Sequence, residues 1–244
     1  MTRAEFVFAY GSLVHDRGDG AGGRGAGEPL REAYLHGHRR IWGVAMENAL
    51  SLPDYKYYLD ATDGSRPDVF VTFLDLVEEP GARVNGALLP VDAELLLALD
   101  RRERNYRRRE ITGAIELVGR RGGEHAVGGA GAVGEAGAAG ETSAAGERGA
   151  TGETSATGAA SERVAPGGEA AAPPGRVWTY FGRDEARARS ERGRREGRAV
   201  VHKGYLDGVL AGFAALADGA LAEFEAGTAP HGCRVLELSR VELP

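Results

Sequence analysis

"FVFAYGSLVH" (Phe6–His15) opens the chain with apolar and aromatic residues that stop at Gly11-Ser12. A short, continuous apolar run closed by glycine reads as a buried strand rather than a helix. Beyond it the backbone is bare. Residues 15–29 are too rich in glycine for regular structure. "YLHGHRRIWGVAM" (Tyr34–Met46) alternates loosely as a second strand. "VFVTFLDLV" (Val69–Val77) and "VNGALLPV" (Val84–Val91) read as two more, separated by the turn signal "EEPGA".

At Asp92 the period changes. In "DAELLLALDRRE" (Asp92–Glu103) leucines recur at helical spacing, with Asp92 as N-cap and Glu94 in the first turn. Further on, residues 111–118 and Arg176–Gly182 ("RVWTYFG") read as strands, "YLDGVLAGFAALA" as a helix and "RVLELSRVEL" as a final strand. Many strands and few helices, without regular βαβ alternation, predict an α+β domain or a closed mixed barrel.

Composition sets the domain boundaries. Of the 38 glycines, many fall in residues 119–175, a window without Leu, Ile, Phe, Tyr, Trp or Met. Such a segment buries too little apolar surface to offset its ordering entropy. "GETSA" occurs at Gly140 and again at Gly152 without core residues, as in an expanded repeat rather than a solenoid. The expectation is one domain, residues 1–118 and 176–244, interrupted by a disordered Gly/Ala-rich insertion at 119–175.

Net charge is −6, which gives no reason to expect nucleic acid or an anionic membrane surface. Cys233 is the only cysteine, so an intrachain disulfide is excluded and a reducing compartment is expected. "MTRAEFVF" holds no signal-peptide core, and "VLAGFAALA" (Val209–Ala217) is far short of a membrane span. A cytoplasmic protein is the expectation.

Leu95, Leu99 and Glu103 are spaced by four and share roughly one helix face, so Glu103 continues an apolar stripe with a carboxylate. Burial and the helix C-terminus both disfavour its ionised form, as a general base near neutral pH requires. Against this stand Arg101, Arg102, Arg104, Arg107, Arg108 and Arg109. On spacing alone, a helix-end ion pair with one of them is the more natural reading.

"AYGSL" (Ala9–Leu13) closing the first strand and "LDRRERNY" (Leu99–Tyr106) closing the helix together resemble the γ-glutamylcyclotransferase-like family. "HGHRRIWG", "VNGALLPVD", "RVWTYF" and "GYLDGVLAGFAAL" follow in the family's order. The Leu-Asp-x-Arg-Glu-x-x-Tyr form is closest to its ChaC-like branch, which acts on glutathione; AIG2-like proteins are also members. The resemblance implies a small mixed β-barrel with flanking helices. It also implies a cofactor-independent conversion of a γ-glutamyl amide, amino acid or peptide into 5-oxoproline and the released amine. Glu103 is then the general base and acid, and the nucleophile is the substrate's own α-amine. Phe8, Ala9, Tyr10, Gly11, Ser12, Leu13 and Tyr106 are the implied substrate-binding residues, and no metal is called for. The rival readings are a non-catalytic module binding a carboxylated metabolite, and a nucleic-acid-associated protein using the arginines of residues 176–198.

Other signals are weaker. Gly18–Gly23 fits G-x-G-x-x-G but neither closes a strand nor opens a helix. His36 and His38 have no third ligand at convincing spacing. Ser12 lacks the serine-hydrolase elbow, and Cys233 reads as an inert small residue.

Overall fold

A computed structural model describes residues 4–15, 30–50, 55–119 and 172–243. The G-x-G-x-x-G match and most of the 119–175 insertion lie outside the described residues.

The helix period breaks where the sequence predicts it. Helix α1 spans Ala93–Arg102, and the Asp92 carboxylate accepts the Leu95 N–H at 2.9 Å, satisfying one of the donors left free at a helix start. The strands expected from apolar runs form, and the polar β3 and β5 join them: β1 (Glu5–Ala9), β2 (Arg31–Glu47), β3 (Lys56–Asp60), β4 (Phe70–Val91), β5 (Tyr106–Glu110), β6 (Ile115–Leu117) and β7 (Arg176–Gly182). After α2 (Asp184–Arg195) come β8 (Ala199–His202), α3 (Lys203–Ala214), α4 (Ala220–Gly227), β9 (Arg234–Leu236) and β10 (Leu238–Glu242).

The main sheet runs β5-β7-β1-β4-β2-β6, with β8 on β4 and β9 on β8; β3 and β10 form a separate ribbon. β1 lies antiparallel to β4 and parallel to β7, so the sheet is mixed. Helices flank it, giving the α+β architecture expected from the sequence. One core runs from Val7 and Phe8 through Leu35, Leu74, Leu76 and Leu88 to Val177, Val209 and Phe213.

Three local readings change. The two strands expected at 69–77 and 84–91 are one strand, because "EEPGA" makes a bulge instead of a reversal. Gly81 takes φ +84°, and the register against β2 jumps between His36↔Arg83 and His38↔Glu78. The final run breaks into β9, paired with β8, and β10, paired with β3. The arginine-rich stretch, which reads from the sequence as a solvated helix face or a substrate-attracting rim, instead commits several of its arginines to contacts within the chain. Arg187 pairs with the buried Asp75 at 2.7 Å, Arg189 donates to Ala45 O and Asn105 Oδ1, and Arg194 donates to Trp42 O and His231 O. These contacts fasten α2 to the sheet, and the small buried residues Ala186, Ser190 and Gly193 let it sit close. No described helix is long and apolar enough to cross a membrane.

Candidate active site

β1 carries the chain between β4 and β7 and ends at Ala9. Gly11 then starts a 3-10 turn over Ser12–Val14, closed by Val14 N–H to Gly11 O at 3.0 Å. The first amides of such a turn have no partner within it. No acceptor among the described residues takes those of Ser12 and Leu13. α3 packs against this turn.

α1 arrives from the other side. Glu103 caps it with a non-helical backbone (φ −87°, ψ 50°), its N–H reaching Leu99 O at 2.8 Å and its carbonyl accepting from Tyr106 N. Its side chain is 16% exposed and lies 3.3 Å from Arg102 Nε, so the expected arginine contact exists alongside the inward placement.

The two elements meet at a hollow with two chambers. The inner one, about 30 Å³, is lined by Phe8, Tyr10, Gly11, Ser12, Leu13, Leu74, Glu103, Tyr106, Tyr180 and Tyr205. The outer one, about 210 Å³, shares Ser12, Glu103, Tyr106 and Tyr205 with it and extends to Lys56, Tyr58, Phe73, His202 and Arg240. Of the residues expected at the site, Ala9 alone is missing from both linings; it is buried in β1, its carbonyl facing Gly86 of β4.

Four tyrosines line the inner chamber, and their hydrogen bonds separate them. Tyr10 donates to Tyr180 O at 2.7 Å, Tyr106 to Leu74 O at 2.7 Å, and Tyr180 to Asp100 Oδ1 at 3.0 Å. The Tyr10 hydroxyl proton is thereby committed. Tyr205 is different: its oxygen accepts the Leu74 N–H at 3.3 Å, and among the described residues no acceptor takes its proton. Burial, with the Glu103 carboxylate adding to it, pushes the Tyr205 hydroxyl well above its ordinary pKa, so it stays a donor throughout the physiological range. Burial does the same for Tyr106 and Tyr10.

Tyr205 and Lys56 were not found by sequence reasoning. Tyr205 reads as one more aromatic on an amphipathic helix, and Lys56 sits in a stretch, "YKYYLD", assigned to nothing. Tyrosines flanking one of the chain's two lysines were the available signal. His36 pairs with Glu116 at 2.6 Å, and His38 bonds His36 O. Among the described residues no group of His, Cys, Asp and Glu is placed to hold a metal.

No protein-family model matches the chain, and no curated protein matches it. Solved structures that match include a γ-glutamyl cyclotransferase described as specific to glutathione, from yeast, at 14% identity and a TM-score of 0.34, covering 49% of this chain and 56% of that one. Another, titled gamma-glutamyl cyclotransferase, has 16% identity, a TM-score of 0.29 and coverages of 49% and 60%. An uncharacterized protein from Homo sapiens has 16% identity, a TM-score of 0.30 and the same coverages. The chain thus spans less than two thirds of each.

Proposed function

We propose that this chain is a cyclotransferase that releases 5-oxoproline from a γ-glutamyl amino acid or peptide. One observation carries the reading: the carboxylate ending α1 and the amide-bearing turn after β1 line a single hollow. The Tyr-Gly-Ser-Leu and Leu-Asp-x-Arg-Glu-x-x-Tyr segments, with their family resemblance, support it independently.

The reaction asks little covalent chemistry of the protein. Glu103 accepts a proton from the substrate's α-ammonium, a group with an ordinary pKa near 7.7–8.0. The freed amine attacks the γ-carbonyl carbon and closes a five-membered ring. The carbonyl oxygen takes up negative charge facing the Tyr205 hydroxyl and the turn amides, donors that need no reorganisation as the charge develops. Glu103 gives the proton to the leaving nitrogen as its C–N bond breaks, and the second proton shed by the ring nitrogen passes through the same carboxylate to the released amine, which departs as an ammonium. Holding the bent conformer for an intramolecular attack is worth ~7–11 kcal/mol in well-aligned systems. Gly11 keeps the approach open: a Cβ there comes within 3.3 Å of Tyr205 Oη.

The Arg102–Glu103 contact favours a second reading, in which Glu103 is an ion-paired helix end and the hollow only binds a carboxylated ligand. Glu103→Gln separates the two. The cyclotransferase reading expects 5-oxoproline release to fall ~10²–10⁴-fold, the range for a lost general acid–base group, with unaltered thermal unfolding. A wild-type protein that binds γ-glutamyl compounds and releases no 5-oxoproline establishes the binding module instead.

A further inference from the structure

The outer chamber has a cationic wall that the proton transfer does not use. It is built by the β3–β10 ribbon, where Tyr58 stands opposite Arg240 and Lys56 opposite Glu242. Side chains alternate along a strand, so Lys56, Tyr58 and Arg240 share one face. That face lines the chamber that opens from Glu103. The Lys56 ammonium lies 5.1 Å from the Phe73 ring centre, 5.8 Å from Tyr55 and 6.0 Å from Tyr58. Among the described residues it makes no ion pair and no hydrogen bond; Glu103, across the chamber, is not within pairing distance.

Burial first, then the neighbouring Arg240, push Lys56 down to about 8, with Glu103 opposing them only in part. Arg240 pairs with Glu242 along its own strand, and Arg102 also lines the chamber. A desolvated ammonium beside other cations costs free energy that an anion placed in the chamber relieves. His202, its ring tilted against that of Tyr58 at 5.1 Å between centres, stays neutral because burial lowers its pKa, and adds no competing charge.

Taking the cyclotransferase reading as its basis, the geometry points to Lys56 and Arg240 as a subsite for a carboxylate on the leaving half of the substrate. The chain then selects γ-glutamyl amino acids and peptides over γ-glutamyl amines that lack that carboxylate. The division of space agrees. The inner chamber, about 30 Å³, exceeds what a single water needs and has room for a carbonyl oxygen. The outer one, about 210 Å³, has room for a substituted leaving amine.

The test uses a matched pair, γ-glutamyl-alanine and γ-glutamyl-ethylamine, which differ only by the leaving-group carboxylate. In the full-length wild type the ratio of their kcat/KM values is expected to be on the order of 100, the size of a desolvated charge contact. Lys56→Met and Arg240→Met each bring the ratio down towards ten or below, and Lys56→Arg preserves most of it. A wild-type ratio near one, or a Lys56→Met that lowers both substrates in proportion, overturns the subsite. Equilibrium binding of the two compounds to Glu103→Gln gives the same comparison without turnover. If neither compound yields 5-oxoproline yet γ-glutamyl-alanine is still preferred in binding, the cyclotransferase reading fails and the subsite stands; equal binding overturns the subsite.

Discussion

Gly11→Ala asks whether a substrate group enters the inner chamber at all. A Cβ at this position meets Tyr205 Oη at 3.3 Å, Leu74 Cδ1 at 3.5 Å and Leu74 Cβ at 3.8 Å. Only the first is tight, and the Tyr205 ring can yield by a few tenths of an ångström. That movement strains the Leu74 N–H bond to Tyr205, which at 3.3 Å is already long, so its cost is about 1 kcal/mol. Alanine recovers about 0.4–1 kcal/mol by restricting the unfolded chain. Stability therefore changes by less than about 1 kcal/mol. Activity fares differently. Tyr205 and Leu74, which the added methyl group meets, line the inner chamber, so the methyl narrows it where the carbonyl oxygen is to sit. Excluding the carbonyl oxygen from its donors costs ~10²–10³-fold, as loss of an oxyanion donor does elsewhere. Urea unfolding and 5-oxoproline release, measured on the same preparation, give both quantities. If kcat/KM stays within about threefold of wild type, no substrate group occupies this hollow and the role given to the turn is wrong. Gly86→Ala is the contrast: its Cβ collides with the Ala9 carbonyl, where backbone cannot give way, and falls 2.7 Å from the Phe8 ring, so it destabilises by ~2 kcal/mol or more.

Tyr205→Phe removes an inner-chamber hydroxyl whose proton has no acceptor among the described residues; kcat is expected to fall ~10–100-fold with KM little changed, and an unaltered kcat removes Tyr205 from the chemistry. The same substitution orphans the Leu74 N–H, so unfolding free energy drops by about 1–2 kcal/mol. Lys56→Met gives a pH test of the buried ammonium in the ligand-free protein. Its pKa moves from 10.5 to about 8 on folding, a penalty of about 3 kcal/mol at neutral pH, against which cation–π contact returns ~1–2 kcal/mol. The variant is therefore more stable than wild type by ~1–2 kcal/mol at pH 6.5. Between pH 8 and 10.5 folded wild type has lost the proton while unfolded wild type keeps it, so wild type gains and the gap narrows. Urea midpoints at pH 6.5 and 9.5 that show a widening gap contradict this account.

How much of this the sequence carried depends on the range over which each signal acts. β1, β7 and α1 were legible because their causes are local: an apolar run stopped by glycine, a capping aspartate, leucines at helical spacing. The glutamate at the end of α1 stood out for the same reason, a carboxylate where the stripe demands an apolar residue. "EEPGA" misled because a local turn signal was overridden by pairing with β2 on both sides of it. The arginines of α2 misled because their carbonyl and carboxylate partners lie on β2, β4 and the chain after α4.

The order of short apolar runs around one helical period set the α+β character, helical spacing singled out Glu103, and the resemblance to γ-glutamylcyclotransferase-like proteins pointed to the Tyr10–Leu13 turn. Tertiary structure alone brought Tyr205 from α3, Tyr180 from β7, and Lys56 and Arg240 from the β3–β10 ribbon to the same hollow. Their roles depend on pairings between residues as far apart as Tyr58 and Arg240. A strand's own sequence favours its extension, but its partner is chosen by the packing of the whole chain.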